Sequence, residues 1–202
     1  MDNDLQNPEI DDLELQQAIK LIASRSHYSH IVHCIAESIY KNGLCLKSVK
    51  TVLDEHGVNI KDLKGEFLDF IIDYIEIIIN DHIISEKEYK NATLLKRYFN
   101  IKEGEFYKIR YHKIAEILHR QFLWIYADGI VTKQEEIHKF EMQGLFGLSY
   151  DQFLEFKEND PFIKKTYQFY ENPKAFTEEE MNKTFEEYCS QNVKQWTLHN
   201  FW

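Results

Sequence analysis

When the chain is slid along itself by 47 positions, residues 70–106 align with residues 117–153 without a gap. Six pairs are identical: Ile78 with Ile125, Asp81 with Asp128, Ile83 with Ile130, Glu88 with Glu135, Phe99 with Phe146, and Phe106 with Phe153. Where the residues differ, their chemistry is kept at helix boundaries and apolar positions: Ile84 meets Val131, Ser85 meets Thr132, Leu95 meets Met142, and Ile101 meets Leu148. Each segment reads as an apolar helix, a tight Asp-containing turn, a capped helix, and a second turn into another helix that carries a Phe. A repeat of this kind is one supersecondary unit that buries its apolar face only by stacking on a neighbour, so it dictates a helical architecture.

Composition agrees. Seven glycines and three prolines in 202 residues are too few for the frequent turns of an all-β sandwich or barrel. The fold expected is all-α, a helical bundle built from two repeat units. Residues 1–60 form a helical extension, 61–159 the tandem core, and 160–202 a helical arm with an aromatic tail. Helices are expected over about 11–23, from a Ser26 cap to Asn42-Gly43, over 46–56 up to Gly57, over 61–80, and from Ser85 to Phe99. A long helix follows over 107–127, then one from Thr132 to about Gly147 and a short one over 150–158. Asp160-Pro161 is expected to open a helix, as is Thr177 with Glu180. The tail residues Trp196, Leu198, Phe201 and Trp202 are expected to dock on the body or to anchor a partner.

The formal charge of -10 removes phosphate neutralisation as a driving force, so nucleic acid is not an expected partner. Cys34, Cys45 and Cys189 lack paired metal-ligand spacing and are expected as buried thiols in a reducing cytoplasm. Met1 to Asp12 is acidic, without the basic and apolar regions of a secretion signal. The most apolar run, Phe67 to Ile79, is short of the ~20 residues that cross a bilayer. It is interrupted by Asp69, Asp73 and Glu76 at i, i+4 and i+7, an acidic stripe expected as a wet or partner-facing edge.

The second unit carries Ala127-Asp128-Gly129-Ile130-Val131-Thr132 with Glu135, then Phe146-Gly147-Leu148-Ser149 and Phe153. It resembles the tellurite-resistance TerB-like family, whose signature is an Ala-Asp-Gly turn, a branched apolar residue, a capping residue and Glu, then Phe-Gly-Leu-Ser. The first unit matches more weakly, with Asn80-Asp81-His82 in place of Ala-Asp-Gly and Asn100 where Gly147 stands. The resemblance implies an all-helical bacterial protein of tellurite or chemical-stress resistance, or of membrane-linked or phage-defence systems, with acidic residues proposed to bind metal.

Two chemistries compete for the acidic signature. Ser85 with Glu88 and Thr132 with Glu135 are capping boxes, each contributing on the order of 1 kcal/mol. The alternative is a divalent cation held by Asp81 and Glu88, or by Asp128 and Glu135. The second pair fits only half an EF-hand loop, because Trp124 and Tyr126 occupy positions that require oxygen ligands. Glu116-x-x-His119 and Glu135-x-x-His138 are steps used by di-iron carboxylate bundles, and His112 shares a helix face with Glu116 and His119. The neighbouring Lys113, Arg120 and Lys139 point instead to a solvated face, and the wider basic stretch of Lys102, Lys108, Arg110, Lys113 and Arg120 reads as a solvated face or a surface for an acidic partner. His27, His30 and His33 recur beside Cys34, but their spacing drifts around a helix, so they read as ordinary surface or half-buried histidines. Phosphate loops, nucleophile elbows and zinc-protease motifs do not occur.

The function expected is a non-enzymatic cytosolic bacterial protein-interaction module in stress response, toxin immunity or phage defence. Its partner is another protein of the same system, contacting Asp69, Asp73 and Glu76 or the tail residues Trp196, Phe201 and Trp202. A metal-binding stress protein, or a di-iron carboxylate enzyme, is the alternative.

Overall fold

The computed structural model describes residues 13–126 and 131–160. Among them lie eight helices and no strand: α1 (Leu13–Ala23), α2 (His30–Asn42), α3 (Leu46–His56), α4 (Lys64–Ile78), α5 (Glu86–Tyr98), α6 (Glu105–Ile125), α7 (Lys133–Leu145) and α8 (Tyr150–Asn159). The Asp128-Gly129 turn, the helices expected beyond Asp160, Cys189 and the aromatic tail fall outside the described residues.

Local chemistry sets most of the helix ends. α2 is capped by Ser29 rather than Ser26. The Ser29 hydroxyl accepts from Val32 N at 3.5 Å, while its own N–H donates to Glu66 at 2.6 Å. That second bond ties the start of α2 to α4, which Ser26 has no sequence reason to do. α2 ends at Gly43 with φ 74° and ψ 175°, a conformation essentially reserved for glycine. α4 is shorter than its apolar pattern, because residues 61–63 form turns rather than helix.

Local geometry recurs at the offset seen in the sequence. Ser85 N donates to Glu88 at 2.7 Å and Glu88 N to the Ser85 hydroxyl at 3.2 Å; 47 residues on, Thr132 N donates to Glu135 at 2.6 Å and Glu135 N to the Thr132 hydroxyl at 3.3 Å. At the other helix end, Asn100 and Gly147 both take positive φ, 52° and 57°. Asn100 N donates to Arg97 O and Ile101 N to Lys96 O, as Gly147 N does to Gly144 O and Leu148 N to Gln143 O. These are matching Schellman closures. Asparagine is the side chain best able to replace glycine there, because it tolerates the left-handed region.

The chain divides into two compact units. One holds residues 13–114 and 137–149; the other holds 115–126, 131–136 and 150–160, so α6 and α7 each contribute to both. The boundary expected near residue 60 falls inside the first unit, where α1 packs on α2 and α4, α2 on α3, and α4 on α5. Its core is aromatic as well as aliphatic: Phe67 stacks on Phe99 at 4.2 Å, and Phe70 meets the same ring edge-on at 5.6 Å. Ile19, Ile35, Ile71, Leu95 and Met142 are fully buried in that unit. In the second unit Ile117, Leu118, Phe122 and Ile125 are buried, and Phe122 meets Phe153 edge-on at 5.7 Å.

α6 is not the one unbroken helix expected: two helical stretches meet at a kink at Arg110, whose φ of -129° and ψ of 28° leave the helical region. Within the first unit α5 and α7 also approach closely. Lys96 donates to the carbonyls of Gly144 and Leu145 at 2.9 and 3.1 Å, placing a cation on the negative end of α7. A Cβ added at Gly144 would run into the Tyr89 hydroxyl oxygen and stand 3.2 Å from its ring. Gly144→Ala is therefore expected to lower stability by up to about 2 kcal/mol in urea unfolding, crowding outweighing the gain in helix propensity. Most of that loss should disappear in a Tyr89→Phe background. A stabilised Gly144→Ala variant with Tyr89 intact would contradict this packing.

Candidate functional site

The sequence reads the acidic stripe of α4 as a wet or partner-facing edge, and the structure instead pairs Asp69 and Asp73 with residues of their own chain. Asp73 is only 5% exposed. Its Oδ2 accepts from the Tyr28 hydroxyl at 2.6 Å and pairs with the Arg25 guanidinium at 2.6 Å. Burial first, and then the bond to Asp73, push the Tyr28 phenol upward and keep it protonated. Asp69 takes a two-pronged bond from Arg110, at 2.9 and 2.8 Å, and a third from Lys113 at 2.6 Å. Burial alone would raise the Asp69 carboxyl, but the hydrogen bonds from Arg110 and Lys113 outweigh it and hold the group below the usual range. The guanidinium also donates to Gly65 O at 3.0 Å, and a Cβ at Gly65 would stand 3.0 Å from it. Two cations of the basic stretch thus turn onto an acid of their own chain. Glu76 is half-buried and also has an interaction partner.

The carboxylates considered for a cation are engaged in local bonds. Glu88 and Glu135 close the two capping boxes, and Asp81 Oδ1 accepts from Ile83 N at 3.1 Å in a short side-chain turn. Asp128 lies outside the described residues. The steps considered for iron are also drawn into separate surroundings. Glu116 is exposed while His119 Nδ1 pairs with the buried Asp160 carboxylate. His138 is buried in the first unit, its ring 6.2 Å from that of His82. His112 is exposed.

Among the described residues, one trio of metal-ligating side chains comes together, and the sequence pattern did not single it out. One ligand atom from each of His30, Cys34 and His56 lies within 4.8 Å of the others. The spacing of His30 and Cys34, one helical turn, was legible; the arrival of His56 depends on α3 folding back along α2. His27 and His33 belong elsewhere: His27 Nε2 is 3.8 Å from Asp73, and the His33 ring meets Tyr28 edge-on. Cys34 and Cys45 are half-exposed rather than buried as expected.

The second overlooked feature is apolar. α7 buries His138, Met142 and Leu145, while Ile137 and Phe140 on the same helix are 48% and 70% exposed. Ile83, 58% exposed, follows His82, whose ring reaches His138. A histidine therefore occupies the buried row of this helix while a phenylalanine faces out. Beside it, burial raises the Glu141 carboxyl above its ordinary value. No family model matches the chain, and neither does any curated protein or solved structure.

Burial first, then repulsion from His82, pull the His138 imidazole from 6.5 down to about 4, with Asp81 opposing. The unfolded chain takes up this proton near 6.5 and the folded chain only near 4, so the associated stability is complete above pH 6.5 and is lost as the pH falls toward 4. The expected result is a steeper loss of stability between pH 7 and 4.5 in the wild type than in His138→Gln. An NMR titration placing the His138 midpoint near 6.5 would contradict it.

Proposed function

We propose that the chain is a non-enzymatic, cytosolic bacterial protein-interaction module of the TerB-like kind, serving stress response, toxin immunity or phage defence. The observation that supports this reading is the exposure of Phe140, Ile137 and Ile83 in one unit, where α7 spends its buried row on a histidine. Exposed aromatic and branched side chains at helical spacing suit an apolar helix face of another protein, anchored on Phe140. The partner is basic. With a formal charge of -10, a second copy of this chain is repelled at long range, whereas a partner with lysine and arginine flanking its apolar face is steered in.

A photocrosslinking residue at position 140, introduced into the full chain in its native host, tests this. The expected product joins it to one other protein through a basic amphipathic helix. Phe140→Asp combined with Ile137→Asp should weaken binding of that helix about thirtyfold or more, the scale of a hot-spot loss, without lowering the melting temperature. Crosslinks only to the chain itself or to an acidic segment would overturn the proposal. Undiminished affinity in the double variant would overturn it too.

A further inference from the structure

We propose that His30, Cys34 and His56 form a binding site for a borderline d-block cation, with zinc(II) as its type metal. His30 opens α2, and Cys34 stands one turn along the same helix, so their side chains share a face. His30 Nε2 and Cys34 Sγ are 3.6 Å apart. A tetrahedral zinc ion with Zn–S of about 2.3 Å and Zn–N of about 2.0–2.1 Å holds such a pair about 3.5 Å apart. The two atoms already span one edge of that tetrahedron.

The third ligand comes from the far end of the helical hairpin. α2 packs on α3, and the short connection through Gly43 lets α3 return so that its last residue, His56, reaches the beginning of α2. His56 Nδ1 lies 2.9 Å from Val52 O. A carbonyl only accepts, so Nδ1 carries the proton and donates, which leaves the Nε2 lone pair for a metal. Fixing one imidazole nitrogen on a backbone carbonyl is the usual way a metal-binding histidine is oriented. The end of α3 adds the negative pole of its helix dipole, which favours a cation.

The ligand chemistry selects the metal. One thiolate and two imidazoles suit zinc, and they suit calcium or magnesium poorly because those ions demand oxygen ligands. Both histidines are exposed and Cys34 is half-exposed, so the cation exchanges with solvent. Its fourth position is left to water or to a ligand supplied from outside. None of the three is buried, so replacing them leaves the core intact.

The test uses the full-length, untagged chain, with cobalt(II) as the spectroscopic probe and zinc(II) as competitor. One equivalent of cobalt should produce a thiolate-to-cobalt charge-transfer band together with the intense visible absorption of tetrahedral cobalt, and zinc should abolish both. Cys34→Ser should remove the charge-transfer band. His30→Gln and His56→Gln should each weaken cobalt binding about tenfold or more. Cys45→Ser and Cys189→Ser should change nothing, and far-ultraviolet circular dichroism should show every variant folded. The proposal is overturned if the wild type gives no charge-transfer band, if the band survives Cys34→Ser, or if either histidine variant binds cobalt as the wild type does.

Discussion

Burying α4 requires that its carboxylates find partners from elsewhere in the chain. Phe67, Phe70, Ile71, Tyr74 and Ile75 are fully or almost fully buried, and Asp69 and Asp73 lie among them on the same helix. A charge taken out of water without a partner costs several kcal/mol. The structure meets this by bringing Tyr28 and Arg25 to Asp73, and Arg110 and Lys113 to Asp69. These bonds reach the segment between α1 and α2 on one side and the start of α6 on the other. The irregular backbone of α6 falls at Arg110, the residue whose guanidinium is committed to both Asp69 and Gly65 O.

This arrangement moves the functional question away from the acidic stripe. Charges held by two or three internal bonds are poor handles for a partner, since any outside contact competes with them. The residues left to act are those whose placement runs against local expectation: a phenylalanine outside and a histidine inside on α7, and two histidines drawn up to a half-exposed cysteine at the α2–α3 hairpin. Sites where local sequence preference and global fold disagree are where function is expected to be found.

What the sequence made legible was what depends on neighbours a few residues away. The capping boxes of Ser85 with Glu88 and Thr132 with Glu135, and the limits of α3 at Leu46 and His56, all follow from short-range signals, whereas Asn100 read only as a departure from the Gly147 pattern until its positive φ showed the two turns to match. The all-helical architecture follows from repetition of those signals. The internal partners of α4 were not legible, because they stand 41 to 45 residues away for Arg110, Lys113 and Tyr28. Helical spacing shows that Asp69, Asp73 and Glu76 share a stripe, but it carries no information about whether water or an arginine faces them. The same limit hid His56, which joins His30 and Cys34 only through the turn at Gly43. It also favoured Ser26 over Ser29 as a cap, since the bond from Ser29 N–H to Glu66 spans 37 residues.

The internal pairing of α4 can be measured by a double-mutant cycle on Tyr28 and Asp73, read as unfolding free energies of the wild type, Tyr28→Phe, Asp73→Ala and the double variant. Loss of the Arg25 contact is common to both variants that lack Asp73, so it cancels and leaves the Tyr28–Asp73 bond. A hydrogen bond to a buried carboxylate predicts a coupling of about 1.5–3 kcal/mol. Two single effects that simply add, within about 0.5 kcal/mol, would mean that Asp73 is solvated and that the stripe on α4 faces water after all.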